Sequence, residues 1–570
     1  MKFRELARYL DRLQKTPSRL VMTDILAELF GKLEADEIDK ATYLLSGKLA
    51  PNYTGIEFNM AEKTMIQVIA KACDIDNEKI KEAYKQKGDL GEVARAFANS
   101  KGKDLEILEV YRRMLDAAEE SGPGSVDRKI DKMSKLFKDL DPLSTSFIVK
   151  IPIGNLRLGF SDMTVLDALS VATKGDKSAR GEIENAFNVN VDLGKVARRV
   201  KVEGLTGLKE LEPEPGTPIR PSLAERLLSA EKILEKIGPT VAVEPKYDGF
   251  RAQVHIYHKD GKKVINIYSR NLENTTHMFP DLVKAFEEVD VESGIFDGEA
   301  IGINTETGKF LPFQETVQRK RKHGIEEASQ RLPLKYFVFD VLFKNGKSFL
   351  SLPFNERRKI LEQTFSKNNP KVEITRQVIT SSAKEIRDLI QEYLKEGLEG
   401  AMVKKIDAAY KAGGRGYHWV KYKKTTEEGV ADTIDCLVMG TYVGKGKRVG
   451  FGAGAFLVGV KDGETFKTVS KIGTGLTDEQ WRELNSRASK LTVKDVPEEF
   501  IVPKNLEPNV WTRASLVVEI LADEITRSPL HSSGLALRFP RLIRFRDEKA
   551  PGDTTSIKEL NKLFKMQKSF

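Results

Sequence analysis

The sequence predicts a multidomain α+β chain, with an all-helical N-terminal region, a central α/β region and a small C-terminal β-barrel. Three patterns predict this. Helical periodicity dominates residues 1–215, as in FRELARYLDRL, DLEILEVYRRMLDAAEE and IDKMSKLFKDL, and β-branched runs are few. Over 216–424 strands alternate with helices. Over 425–570 the strands shorten and are punctuated by glycine, as in DTIDCLVMGTYVGKGKRVGFGAGAFLVGV, which suits a small closed barrel. The first boundary rests on LEPEPGTPIRP, where four prolines in eleven residues stop a helix and mark a linker or an extended crossing segment.

The 570 residues are enough for three or four domains, each with its own core. Lys and Arg number 93 against 84 Asp and Glu, so the formal charge is +9. That balance suits a polyanionic partner without demanding one, and RNA-binding, ribosomal and membrane-surface readings stay open on charge alone. Two distant cysteines, Cys73 and Cys436, can build neither a disulfide framework nor a four-cysteine zinc site. MKFRELARYLDRL has no signal-peptide core, and no stretch of about 18 apolar residues occurs, so an intracellular, soluble protein with no membrane partner is expected.

Within the central region the segment VAVEPKYDGFRAQVHIY holds Lys246 between two apolar runs that read as strands. Pro245 biases Glu244 toward extended geometry and Asp248-Gly249 signals a turn, so Lys246 stands at a strand end, where an amine can meet a substrate. A protonated lysine is a poor nucleophile. It needs desolvation or neighbouring cations, and Arg251 is one nearby cation. A solvated lysine beside a hairpin turn is the plain alternative. Downstream, Ser269-Arg270-Asn271 follows the strand VINIY and puts a guanidinium at a strand-to-loop position, where anions bind. In GIFDGEAIGIN the carboxylates of Asp297 and Glu299 are two apart and share a strand face, a geometry for a hard cation or a ribose hydroxyl, or simply an exposed face.

The run KYFVFDVLF reads as a buried strand from which Phe339 emerges against a flat ring, with core packing as the alternative. EGLEGAMVKK sets Glu399 between glycines that allow close backbone approach. HWVKYKK places Trp419, Lys421 and Lys423 on one face and Val420 and Tyr422 on the other. Two lysines on one face suit a phosphate chain, and equally a solvated edge strand that uses lysine to block aggregation.

The ordered set KYDGFR, SRN, FDGEA, YFVFD, EGLEGAMVKK and WVKYKK, closed by RFPRLIRFRDEK, resembles the motif series of covalent nucleotidyltransferases. More narrowly it resembles the ATP-dependent DNA ligases of the archaeal and eukaryotic replicative type. GDLGEVARAF and GNLRLGFSDMTVLDALS are similar to that family's N-terminal domain, and SPLHSSGLALRFPR to its C-terminal one. The resemblance implies a helical DNA-binding domain, an α/β adenylation domain and an OB-fold. It implies that Lys246 attacks the α-phosphate of ATP and carries AMP as a phosphoramidate, which then passes to the 5′-phosphate of a nick. It implies that Arg251, Arg270, Arg415, Lys421 and Lys423 hold phosphates or ribose, and that Glu244 and Phe339 recognise adenine. Glu299 and Glu399 match positions bound to ribose or metal, magnesium being expected and manganese an alternative.

For DNA, Gly154 and Gly159 bracket Arg157 in GNLRLGF, a layout for phosphate contact or a tight inter-helix turn. The family's last motif, here with Arg538, Arg541, Arg544 and Arg546, serves the triphosphate, so the C-terminal domain is expected to swing on a hinge of Gly and Lys near 424. Arg546-Asp547-Glu548-Lys549 reverses the family's usual order of the two acidic residues. The tail KMQKSF resembles glutamine-plus-aromatic tails that dock on sliding clamps, or is a frayed terminus. The expected protein is a monomer acting on nicked duplex DNA in replication, repair and recombination, cytoplasmic in a prokaryote or nuclear in a eukaryote. Capping guanylyltransferases and RNA ligases share the lysine chemistry, but the helical domain resembles neither. A catalytically silent DNA clamp would not need the reactive positions, all of which are intact. NAD-dependent ligases carry a zinc module that two cysteines cannot supply.

Overall fold

Helical spacing in the N-terminal region becomes a series of helices from Phe3–Gln14 to Leu193–Glu203, each turning an apolar stripe into one shared core. Helix ends are fixed by local chemistry: Asp141 accepts from the amides of Leu143 and Ser144, with Pro142 at the first helical position. The computed structural model describes all residues except 100–101, 155, 157, 321–323, 366–368, 424–432, 444–451 and 567–570. It divides into two units, Met1–Lys423 and Lys424–Phe570.

The central part of the first unit holds eleven strands among its described residues. In chain order they are β1 (Leu223–Arg226), β2 (Val241–Lys246), β3 (Phe250–Lys259), β4 (Lys262–Ser269), β5 (Gly294–Gly302) and β6 (Leu334–Lys344). They continue as β7 (Lys347–Ser348), β8 (Val372–Ile374), β9 (Val378–Thr380), β10 (Gly400–Lys405) and β11 (Arg415–Lys423). One sheet runs β1-β11-β10-β2-β9 and the other β4-β3-β5-β6-β7, with β8 on β6. Two apolar clusters join them. Ile295 of β5 packs with Ile219, Tyr410 and Trp419, whereas Ile301 of β5 packs with Tyr247, Phe337, Val403 and Val420. Between those two β5 residues, on the same face, lie Asp297 and Glu299. The polar seam of the site is therefore built into an otherwise apolar junction.

The turn after Lys246 is not a hairpin. Strands β2 and β3 belong to different sheets, so Tyr247–Gly249 carries the chain across the junction. Tyr247 stacks on Phe337 with centroids 4.1 Å apart, and a Cβ at Gly249 would lie 2.1 Å from the carbonyl oxygen of Ala300. Only glycine permits that approach.

The proline-rich stretch is the crossing segment rather than a loose linker. Arg251, Gln253 and His255 share one face of β3, and each holds its backbone: Arg251 donates to Ser222 O (2.7 Å), Gln253 accepts from Ile219 N (2.8 Å), and His255 Nδ1 accepts from Gly216 N (3.0 Å). The Gly216 amide can only donate, so the His255 proton sits on Nε2, which donates to Gln253 Oε1 at 2.9 Å. Burial pushes the His255 pKa down to about 3, so the imidazole is neutral at physiological pH.

In the second unit Ile434–Tyr442, Ala455–Asp462 and Thr465–Ile472 form consecutive antiparallel pairs. Val517–Leu521 joins the first of them to Arg541–Phe545 within an eight-stranded sheet. Phe456, Val458, Trp481 and Leu484 fill its core together with the buried thiol of Cys436. Among the described residues no helix is long and apolar enough to cross a membrane.

Helix Phe354–Thr364 is tied to β6 by a fully buried ion pair, with Arg357 Nε and Nη2 donating to Asp340 at 2.8 and 3.0 Å. Removing one partner strands a buried charge. Arg357→Met is expected to cost about 3–5 kcal/mol, read by urea unfolding, and a loss under about 1 kcal/mol would show that the pair is dispensable.

Candidate active site

The register of three strands assembles most of the site. Across β2, β10 and β11, Lys246 lies opposite Gly400 and then Lys423, Glu244 opposite Met402 and then Lys421, and Ala242 opposite Lys404 and then Trp419. Directly opposed residues share a face, so one sheet surface presents Lys246, Lys423, Glu244, Lys421, Lys404 and Trp419. Glu399 enters at the edge of this surface. Its amide donates to Lys246 O (2.9 Å), and its carboxylate is shared by the ammonium groups of Lys246 and Lys423. Gly400 makes this possible: at φ +139° a Cβ would lie 2.4 Å from Tyr422 O.

Lys246 keeps 22 % of its side chain exposed, and the protein around its amine governs its acidity. Desolvation lowers the Lys246 pKa. Glu299 and Asp248 oppose that shift, and the Arg270 guanidinium adds to it. Arg270, not Arg251, is thus the cation that favours the neutral amine. The donors of Arg251 go elsewhere: Nε and Nη2 reach the two oxygens of Asp297 at 3.0 and 2.5 Å, Nη1 reaches Ser222 O, and Nη2 also reaches Tyr410 at 3.2 Å. Asp297 is consequently occupied as well, and it also accepts from the Tyr410 hydroxyl at 2.9 Å. Its fold neighbour Glu299 is left as the carboxylate of that strand closest in electrostatic terms to Lys246. Burial raises the Glu299 pKa to about 7; Lys246 and Arg251 pull against this, while Asp297 and Asp248 add to it.

The cationic side chains converge. Burial lowers the pKa of Lys421, and Lys246, Arg415, Arg270 and Arg226 lower it further. Such a cluster is a ready counter-charge for a polyphosphate. Arg226, on β1 opposite Lys421, was not singled out by the sequence pattern because LAER carries no motif of its own.

Phe339 is half-exposed for a structural reason. β6 has a bulge against β5 between the pairs Asp297↔Asp340 and Gly298↔Val338, so Phe339 is the extra residue and its ring is turned toward the other sheet. It meets Trp419 edge to face at 5.8 Å. Beneath the ring lies Lys404, which the sequence pattern also missed. Its ammonium is 4.8 Å from the Phe339 centroid and 2.7 Å from Glu244 Oε2, and Gln377 donates to the other Glu244 oxygen at 3.0 Å. The adjacent lysines of VKK gave no sign of which one is buried; strand alternation puts Lys404 inward and Lys405 outward.

Elsewhere the predicted positions are partly described. Gly154 (φ +64°) and Gly159 (φ +80°) take the left-handed region between helices Pro142–Lys150 and Asp162–Lys174, and Leu156 and Leu158 anchor the loop in the helical core. Arg157 lies outside the described residues, as do the hinge segment beyond Lys423 and the last four residues of the tail. In the second unit the arginines meet carboxylates: Arg541 reaches Asp523 (2.5 Å), Arg544 reaches Glu519 (2.6 Å), and Arg546 and Lys549 share Asp435 (2.9 and 2.5 Å). Arg544 faces Glu519 directly across the strand pair, and Arg546 and Lys549 follow just beyond the strand end.

These features define the class: a two-sheet nucleotide-transfer fold with a desolvated lysine among cations. Comparison with known proteins then specifies it. Residues 221–423 match the ATP dependent DNA ligase domain, residues 2–170 the DNA ligase N terminus, and residues 450–549 the ATP dependent DNA ligase C terminal region. The chain is 44% identical over 579 residues to a probable DNA ligase of Dictyoglomus turgidum, covering 100% of this chain and 98% of that one. It is 37% identical over 594 residues to a DNA ligase of Acidianus ambivalens, with the same coverage of 100% and 98%. The solved structure named Pmar-Lig_PreS3 shares the fold at 16% identity and a TM-score of 0.55, over 95% of this chain and 99% of that one. The chain belongs to the ATP-dependent DNA ligase family, with helical, adenylation and OB-fold parts, and it seals nicks in duplex DNA at the expense of ATP.

Glu299 gives a pH signature. Folded, it keeps its proton up to about pH 7; unfolded, it loses it near 4.5. Its contribution to stability is therefore complete below pH 4.5 and is lost as the pH rises through 7. Glu299→Gln should remove a decline on the order of 1–3 kcal/mol from urea-unfolding curves across that window, and an unchanged slope in the variant would contradict the assignment.

Proposed function

We propose that Lys246 is the residue that carries AMP. The observation behind this reading is the desolvated amine at the end of β2, facing Arg270 and sharing Glu399 with Lys423. Its nitrogen attacks the α-phosphorus of ATP, the bond to the β-phosphate oxygen breaks, and pyrophosphate leaves. An oxygen of the 5′-phosphate at the nick then attacks the AMP phosphorus and frees the lysine. Finally the 3′-hydroxyl attacks the 5′-phosphorus, giving up its proton and expelling AMP. Each step is a displacement at a phosphorus that carries negative oxygens, so positioning and charge neutralisation do most of the work.

In this reading Arg270, Arg415, Lys421 and Lys423 hold phosphates or ribose. Arg251 acts beside them by orienting Asp297 and the crossing segment. Glu244, held by Lys404, presents a polar edge to adenine beside the Phe339 ring. A magnesium-type ion is commonly held by one or two carboxylates together with substrate phosphates. Glu299 and Glu399 would hold it, and magnesium, or manganese in its place, would supply charge neutralisation on the phosphate oxygens. Gly154, Gly159 and Arg157 contact DNA phosphate. The boundaries that suit these roles are 1–215, 216–424 and 425–570, in a monomer that works in the cytoplasm of a prokaryote.

With α-labelled ATP and magnesium the chain should take up label that survives denaturation and is released by pyrophosphate. Lys246→Ala should take up none. Glu399→Ala should lower the rate about 100-fold or more, because it removes both a lysine partner and a metal ligand. Labelling of Lys246→Ala at the wild-type rate would end this reading. We also infer that the tail from Lys565 to Phe570 docks on a sliding clamp; unchanged clamp affinity after its truncation removes that inference.

A further inference from the structure

Arg270 sits on a turn whose two ends are gripped by the helical domain. On one side Tyr268 of β4 meets the ring of Tyr53 edge to face at 6.3 Å, and the Tyr53 hydroxyl is fixed by Asp192 at 3.1 Å. On the other side Leu272 packs against the hydrophobic core of the helical domain and lines, with Tyr53 and Leu193, a cleft between the two domains. Leu272 has φ +65°, a left-handed conformation that is strained for a bulky side chain. The turn itself closes through Leu272 N to Ser269 O (2.8 Å) and Ser269 N to Glu273 O (2.9 Å). Nothing in that closure requires an apolar side chain at 272. A glycine would satisfy the backbone at lower cost, so the strain is matched by what the side chain does, which is to dock.

We propose that the helical domain takes part in the formation of lysyl-adenylate, by clamping the Tyr268–Leu272 turn and so positioning Arg270 in the nucleotide site. Tyr53 and Leu272 are then positioning residues that act through Arg270. This goes beyond duplex binding as the task of the helical domain, and it rests on the assignment of Arg270 to the nucleotide phosphates. It predicts that the first chemical step, which needs no DNA, already depends on the helical side of the cleft.

The test is a double-mutant cycle in the full chain, read as kcat/KM for label uptake from α-labelled ATP without DNA. Leu272→Gly relaxes the backbone while deleting the anchor, and Tyr53→Leu loosens the grip from the other domain. Each should lower kcat/KM about tenfold, mainly through KM for ATP, and in an Arg270→Ala background each should add less than about twofold. Leu272→Met should restore most of the rate. Unchanged uptake in both variants, or the same tenfold loss with Arg270 absent, overturns the proposal, the second outcome marking a merely structural role. A wild-type chain that takes up no label brings down the Lys246 reading as well, which separates the two failures.

Discussion

Everything at the site depends on two sheets being held face to face by apolar contacts on either side of a polar seam. Ile295 with Trp419 on one flank, and Ile301 with Tyr247 and Phe337 on the other, exclude water from the space between. That exclusion is what lowers the pKa of the Lys246 ammonium and raises that of the Glu299 carboxyl. Both shifts have desolvation as their leading cause, so the lowered pKa of the lysine is a property of the junction more than of any single neighbour. Were the sheets to part, water would return both groups toward their ordinary values, whatever cations stood nearby.

Charge placement refines what burial begins. Lys246, Arg415, Arg270 and Arg226 lie close enough to disfavour the proton of Lys421, a crowding of positive charge that is costly in a protein without a counter-anion and useful to one that binds a polyphosphate. Glu399 is the internal counter-charge, shared by Lys246 and Lys423. The pair Arg251 and Asp297 does a different job. Each satisfies the other within the seam, and Arg251 extends a further bond to the backbone of the crossing segment, so the same guanidinium braces the site and the domain connection. The neutral His255 and Gln253 continue that brace along β3 without adding charge.

Much of the site was legible in the sequence because strand alternation is a local rule. Lys246 at a strand end, Asp297 and Glu299 on one face, and Trp419 with Lys421 and Lys423 on one face all stand in the structure as the spacing implies. Phe339 emerges from its strand as expected, but through a bulge in β6 that no one-strand pattern reveals. The Asp-Gly pair signals a turn, and the turn is there, but such a signal says nothing of which sheet receives the next strand. Nearness in sequence points to Arg251 as the cation beside Lys246, whereas in the fold it is Arg270 that lowers the lysine's pKa. Lys404 and Arg226 carried no local sign at all.

By itself, then, the sequence determined the order of domains, through motifs spread along the chain, and the faces of the strands, through residue spacing within about ten positions. Tertiary structure alone decided the partners. Glu399 reaches Lys246 across 153 residues of chain, and Ser222 reaches Arg251 through a crossing segment whose prolines say only that it is no helix. Such pairings are chosen by the packing of whole sheets against each other, and a free energy summed over hundreds of contacts leaves no mark on any single stretch of sequence.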